Sequence, residues 1–387
     1  MNGASTRPIL LKIITMNKNN GRLLSLDVLR GFDLMLLVGL QPVLRLFLIE
    51  LDSPVLNSTL LYHLDHAEWE GLRVWDIVMP LFLFMSGVTM PYSLPKYKMQ
   101  DGNAGVWKRI VKRFLLLFLL GMLVQGNILS LDPTRVYLYS NTLQAIATGY
   151  LLAAPLVLYL KPKYQLLCVA ALLIVYSVPM HLWGDWSAQG NFASVVDKML
   201  LGRFRDGSTV AADGTVEFAS WYDYTWVWSS LTFCCTVALG SYAGHLTKIG
   251  NDNRMATAKR LFIMALLLLV TGYLSGMFQP VIKRIWSASM VLYSAGWCYL
   301  LLALFYWWID AKGHNKGWGW LLYYGCNAIT AYLIGEIVNF RSMAASLLYG
   351  TEQYLGGWYH VLLTACNSLI IFFILRFMYK NRVFLKV

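Results

Sequence analysis

Ten apolar runs of about twenty residues recur along this 387-residue chain, and they constrain its fold more than any other feature. They lie at 29–49, 75–95, 112–131, 142–160, 164–184, 225–245, 260–278, 286–308, 319–340 and 358–379. A helix of roughly 20 residues crosses a hydrocarbon layer about 30 Å thick while making all its backbone hydrogen bonds internally. No period-two pattern of similar extent competes, so the sequence predicts an all-α, polytopic membrane protein with about ten transmembrane helices in one bundle. The charged share is 13%. Soluble domains carry about a quarter, so a string of ordinary soluble domains is excluded.

The net charge of +12 becomes informative once the cations are sorted by loop. Twenty-three Lys and Arg fall on one face of the predicted bundle and nine on the other. Short cytoplasmic loops are the basic ones, so both termini are expected inside. The excess therefore calls for no nucleic acid, and no basic patch interleaved with exposed aromatics suggests one. Residues 1–25 read as a cytoplasmic N-terminal segment without a cleavable signal, and 26–387 as the transmembrane domain. The six cysteines all sit inside apolar runs and read as packing residues, with no zinc spacing and no metal expected.

Ionisable residues at membrane depth, and the polar loops that meet them, are where chemistry is sought. On the outer face, His63, Asp65, His66, Glu68, Glu70 and Arg73 fall within eleven positions. Imidazole exchanges protons near neutrality, which makes His66 the candidate base. Asp76 either caps the next helix or faces the bundle to orient that imidazole or bind a substrate group. A second outer loop, 185–224, is acidic and aromatic, with Asp197, Asp206, Asp223, Trp221 and Tyr222. It is either a solvated cap or a holder for a polar, sugar-like acceptor. At the inner end of the first run, Asp27, Arg30 and Asp33 recur at intervals of three, so Arg30 can pair with either acid. Gln41 is polar in an apolar run, and Pro42 beside it frees a backbone carbonyl. Gln144, Asn327, Glu336 and Asn367 are further polar residues in apolar runs, each also readable as a helix-to-helix hydrogen bond.

These motifs resemble the bacterial relatives of heparan-α-glucosaminide N-acetyltransferase, within the transmembrane acyltransferases. The matching stretches are SLDVLRGFDLMLLV (25–38), HAEWEGLRVWDIVMPLFLFMSGVTM (66–90), NTLQAIATGYLLAA (141–154), SYAGHL (241–246), FQPVIKRIWSASMVLYSAGW (278–297) and YYGCNAITAYLIGE (323–336). The resemblance implies acetyl transfer from cytoplasmic acetyl-CoA to an amine or hydroxyl, commonly a sugar's or amino sugar's, across a bacterial inner membrane. It makes His66 the catalytic residue, as base or acetyl carrier, and puts Gln41 where the family has a functional asparagine. The family enzyme's large lumenal domain before its first span has no counterpart ahead of residue 26, so heparan sulfate itself is not implied.

Under that reading Arg30, Asp27, Arg109, Arg113, Gln144 and Asn327 are candidates for holding the acetyl-CoA, although the positive-inside rule alone accounts for the basic cluster. Lys283, Trp286 and Glu336 are candidates for the acceptor site. A secondary transporter or flippase, with His66 as a proton-linked gate, is the alternative, and a non-catalytic membrane subunit is a third. A homodimer remains open.

Overall fold

The computed structural model describes residues 23–250, 253–338 and 340–385, so most of the expected N-terminal segment lies outside the described residues. Helix α1 (Leu24–Leu34) runs through a π-helical turn, Met35–Leu40, into α2 (Gln41–Leu51). Pro42 heads α2, and Ser368 Oγ donates to the Gly39 carbonyl in the preceding turn at 3.0 Å. After a loop and the short turn Val74–Ile77 come α3 (Val78–Gln125), α4 (Thr142–Tyr159) and α5 (Pro162–Leu182). An excursion follows, holding α6 (Phe192–Leu201) and a hairpin of β1 (Ser208–Val210) and β2 (Val216–Phe218). The chain then continues as α7 (Ser230–Ile249), α8 (Arg254–Gly276), α9 (Ala288–Phe305), α10 (Gly319–Cys326), α11 (Ala328–Ile337), α12 (Phe340–Leu347) and α13 (Trp358–Lys380).

This is an all-α, multi-pass membrane architecture. Seven described helices are long and apolar enough to cross a membrane: Leu24–Leu51, Val74–Gln125, Thr142–Tyr159, Pro162–Leu182, Arg254–Gly276, Ala288–Ala311 and Trp358–Lys380. Several of the runs depart from a simple apolar rod. The runs at 75–95 and 112–131 join in α3, whose helical geometry breaks only at Gly102, with φ of 69°. The run at 225–245 becomes α7, where Ser, Thr, Gly and Cys dilute the apolar character and most residues are buried. The run at 319–340 is interrupted at Asn327, which separates α10 from α11.

Small residues bring the central helices together, the usual device where lipid gives no hydrophobic drive for helix association. A Cβ on Gly87 of α3 would lie 1.9 Å from the Val237 carbonyl oxygen, and one on Gly240 of α7 would lie 2.0 Å from that of Phe84. Substitution at either would force α3 and α7 apart. The expected packing role of the cysteines holds for Cys234, Cys235 and Cys298, which are buried; Cys168, Cys326 and Cys366 are half-buried.

The loop 185–224 is more ordered than the sequence suggested. Its hairpin pairs Ser208 with Phe218 and Val210 with Val216, a register too short for period-two patterning to reveal. The Asp197 carboxylate accepts from the backbone N–H groups of Trp226, at 2.7 Å, and Val227, at 2.9 Å. The buried Arg205 donates to the Tyr222 carbonyl at 2.9 Å. Together they make the segment between α5 and α7 a roof over one end of the bundle.

Candidate active site

Asp76 is the third residue of the turn before α3, where backbone N–H groups await acceptors. Its Oδ2 accepts from Arg73 N at 3.0 Å and Ala67 N at 3.1 Å, so the chain from 67 to 73 wraps around a buried carboxylate. Its other oxygen, Oδ1, lies 2.7 Å from His66 Nδ1. Gly71, at φ of 112°, makes the sharp return that this wrap requires. It also donates to the Val281 carbonyl at 2.8 Å, while Glu70 bridges Ile282.

Those two backbone contacts bring residues 277–287 beside the histidine. Lys283 Nζ sits 2.9 Å from His66 Nδ1 and 3.3 Å from Asp76 Oδ1, with its side chain only 9% exposed. Burial pushes the Lys283 ammonium down to about 8, against the pull of Asp76. A neutral imidazole has one protonated nitrogen, so Nδ1 cannot donate to Asp76 and accept from Lys283 at once. We assign the proton to Nδ1 from the shorter contact. Nε2 is then the basic nitrogen, on a side chain 43% exposed.

His66 and Lys283 line a cavity of about 580 Å³ under the roof. Its walls are aromatic (Trp75, Trp221, Tyr222, Tyr224, Trp226, Tyr332) and acidic (Asp206, Asp223, Glu336). Asp223 is paired with Arg284. Burial raises the Asp206 carboxyl above the ordinary carboxylate range, while Gln125 Nε2 donates to it at 3.3 Å. Aromatic faces with a few convergent polar groups suit a polyhydroxyl or amine-bearing molecule. A dyad of buried acid and cavity-facing imidazole is equipped to take a proton from it.

A model of the catalytic region of heparan-alpha-glucosaminide N-acetyltransferase matches residues 22–185, which include both His66 and Asp76. The heparan-alpha-glucosaminide N-acetyltransferase of Mus musculus is 24% identical over 382 residues, covering 84% of this chain. The chain is a relative of that family. It spans 55% of the mouse protein's length.

Against the family expectation, the structure joins His66, Asp76 and Lys283 and adds Glu336 to the same cavity. Gln41 does not line the cavity; its Nε2 donates to the Leu64 carbonyl at 2.9 Å, tying α2 to the segment that carries His66. Gln144 is spent on the start of α4: Oε1 accepts from Ser140 N and Asn141 N, and Nε2 donates to the Leu138 carbonyl. Asn327 occupies the α10–α11 break, its Oδ1 buried without a partner among the described residues. Trp286 is not in the cavity wall either. It is buried behind it at φ of 52°, its indole donating to Thr236 Oγ1 at 3.1 Å and its ring edge-on to Phe233.

The expected acetyl-CoA residues near the other end stand apart from the cavity wall, which includes none of Asp27, Arg30, Arg109 or Arg113. Arg109 pairs with Asp101 at 2.7 Å, and Arg113 lies over the Tyr150 ring. Arg30 does not bond Asp33, whose carboxylate oxygens are buried without hydrogen-bond partners among the described residues. Gln125, Tyr332 and Arg284 are cavity residues that the sequence reading passed over. Arg284 had a signal, being adjacent to Lys283; Gln125 resembles any polar residue at a helix end, and Tyr332 any aromatic within an apolar helix.

Proposed function

We propose that this protein is a membrane-bound acyltransferase that moves an acetyl group from cytoplasmic acetyl-CoA to an amine or hydroxyl, of a sugar or amino sugar, on the opposite side of the membrane. The carrying observation is the His66–Asp76 pair, 2.7 Å apart, placed in an aromatic and acidic cavity. Asp76 holds Nδ1 protonated, and Nε2 takes the acceptor's proton as it attacks the thioester, the division of labour of other acid–histidine pairs. Glu336, Asp206 and the aromatic wall hold the acceptor, while Lys283 completes the His66 side. Gln41 and Trp286 position these groups through the segments they brace.

For the layout we propose ten crossings within a single acyltransferase domain, 26–387, with both termini cytoplasmic. At 48 residues α3 would extend about 72 Å, more than twice a hydrocarbon core, so it serves as two crossings turned at Gly102. The 23 cations of the inner face then include Arg30, Arg109 and Arg113, which suit the nucleotide phosphates of acetyl-CoA. Its arm enters past Leu37, a cavity residue one turn along from Asp33, with Asn327 on the facing helices. The membrane is a bacterial inner membrane in this reading.

The test is label transfer from radiolabelled acetyl-CoA to glucosamine and cell-wall sugars by purified protein, wild type against His66→Ala. The expected result is acceptor-dependent release of CoA that the substitution lowers by about 10³-fold. Release that ignores His66 would sink the proposal. Solute uptake into vesicles without acetylation would favour the transporter alternative. Recovery of an acetylated His66 peptide would replace direct transfer with a two-step route through acetyl-histidine.

A further inference from the structure

We infer that Lys283 is the proton partner of His66: as Nε2 takes the acceptor's proton, the Nδ1 proton passes to the Lys283 amine. This rests on the transferase reading above. In an ordinary acid–histidine pair the carboxylate merely steadies an imidazolium until it gives the proton back. Here the same nitrogen has two neighbours in reach, Asp76 Oδ1 at 2.7 Å and Lys283 Nζ at 2.9 Å.

Lys283 is within reach of both groups, with Nζ 2.9 Å from Nδ1 and 3.3 Å from Asp76 Oδ1. A neutral amine accepts from Nδ1–H there, and after proton transfer the ammonium donates both to Nδ1 and to Asp76. One arrangement of heavy atoms serves both proton placements. The groups facing Lys283 are Asp76 from the turn before α3, His66 from the preceding loop, and Arg284 beside it, whose charge is engaged by Asp223 of the roof. Burial lowers the lysine to about 8, so a usable fraction is neutral near physiological pH.

The step balances. The acceptor X–H attacks the thioester carbonyl, the C–X bond forms and the C–S bond breaks. The X–H proton goes to Nε2 and the Nδ1 proton to Nζ, leaving a neutral imidazole and a charged lysine. The departing thiolate takes the Nε2 proton, and Nδ1 recovers its own from Nζ. The acceptor's proton ends on the CoA thiol and the site is reset, with no imidazolium stored in a low-dielectric pocket.

Lys283 acts through His66, so it is a positioning residue whose signature is kinetic. CoA release is measured against pH for wild type, Lys283→Arg and Lys283→Met. Wild-type kcat/KM should rise as pH increases toward about 8, where the lysine loses its proton, and then level off. Arg keeps the charge but cannot accept a proton, so it should lose about 10²-fold in kcat with KM for acetyl-CoA little changed. Met should abolish the limb near pH 8. An Arg variant as fast as wild type, or a Met variant that keeps the limb, overturns the relay while leaving the transferase reading intact. No transfer by wild type overturns the transferase reading itself. Should both variants misfold, acetic anhydride labelling of the wild-type Lys283 peptide decides: reactivity that titrates near pH 8 supports the relay, and reactivity that titrates only above about pH 10 rejects it.

Discussion

The two ends of the bundle hold charge in opposite ways. At the roofed end, Asp76, His66 and Lys283 are locked within 3.3 Å of one another, and two of the three are almost wholly withheld from solvent. At the far end, Arg109 meets Asp101 with half of its side chain exposed, and Lys248 and Arg254 donate to the carbonyls of Pro91 and Asp310. These cations are spent on a carboxylate at the surface or on backbone carbonyls, and Arg113 lies over a ring. Charge in quantity tells which way a chain lies in a membrane. Charge that is buried, paired and left with one open lone pair tells where it can do chemistry.

Substitutions can break that contrast in order of expected effect. His66→Ala should cost about 10³-fold in kcat, read by CoA release, with the melting temperature almost unchanged because a half-exposed ring is lost. Asp76→Asn should cost about 10²-fold, since an amide can present its N–H to Nδ1 and favour the wrong tautomer. It should also destabilise the protein by about 1–3 kcal/mol, by weakening the wrap of Ala67 and Arg73, seen as a lower unfolding midpoint. Arg284→Met should loosen the roof at Asp223 and raise KM for the acceptor by about tenfold, leaving kcat at saturation within a factor of about three. Arg109→Ala, at the open end, should change stability by less than about 1 kcal/mol and KM for acetyl-CoA by a few-fold at most. If Arg109→Ala instead matched Asp76→Asn in its loss of kcat, the contrast between the two ends would be lost.

The sequence made the helices legible because an apolar run of membrane length has few other uses. It left their joints unresolved: Gly102 bends one helix within a polar segment that reads as a loop, and Asn327 breaks another within an apolar one. The His66–Asp76 pair was within reach, ten residues apart on one motif. The nearness of Lys283, 217 positions from His66, was not, because it depends on Gly71 and Glu70 holding another loop by backbone bonds that carry no residue-type signature. Gln144 shows the converse. Asn141-x-x-Gln144 is a helix-start capping pattern visible in the sequence, and the structure uses it as a cap.

The roof has a further consequence. It is one uninterrupted stretch between α5 and α7, and its return end is pinned where the Trp228 indole donates to the Tyr176 carbonyl. His66 and Asp76 come from a different stretch, 66–76, and Lys283 from a third, 277–287. The cavity is thus assembled from separate paragraphs of the chain. Under the proposed function, changes in 185–224 would rewrite the roof of the acceptor site, while Glu336 and Tyr332 of α11 keep their wall and the His66–Asp76–Lys283 cluster stays in place.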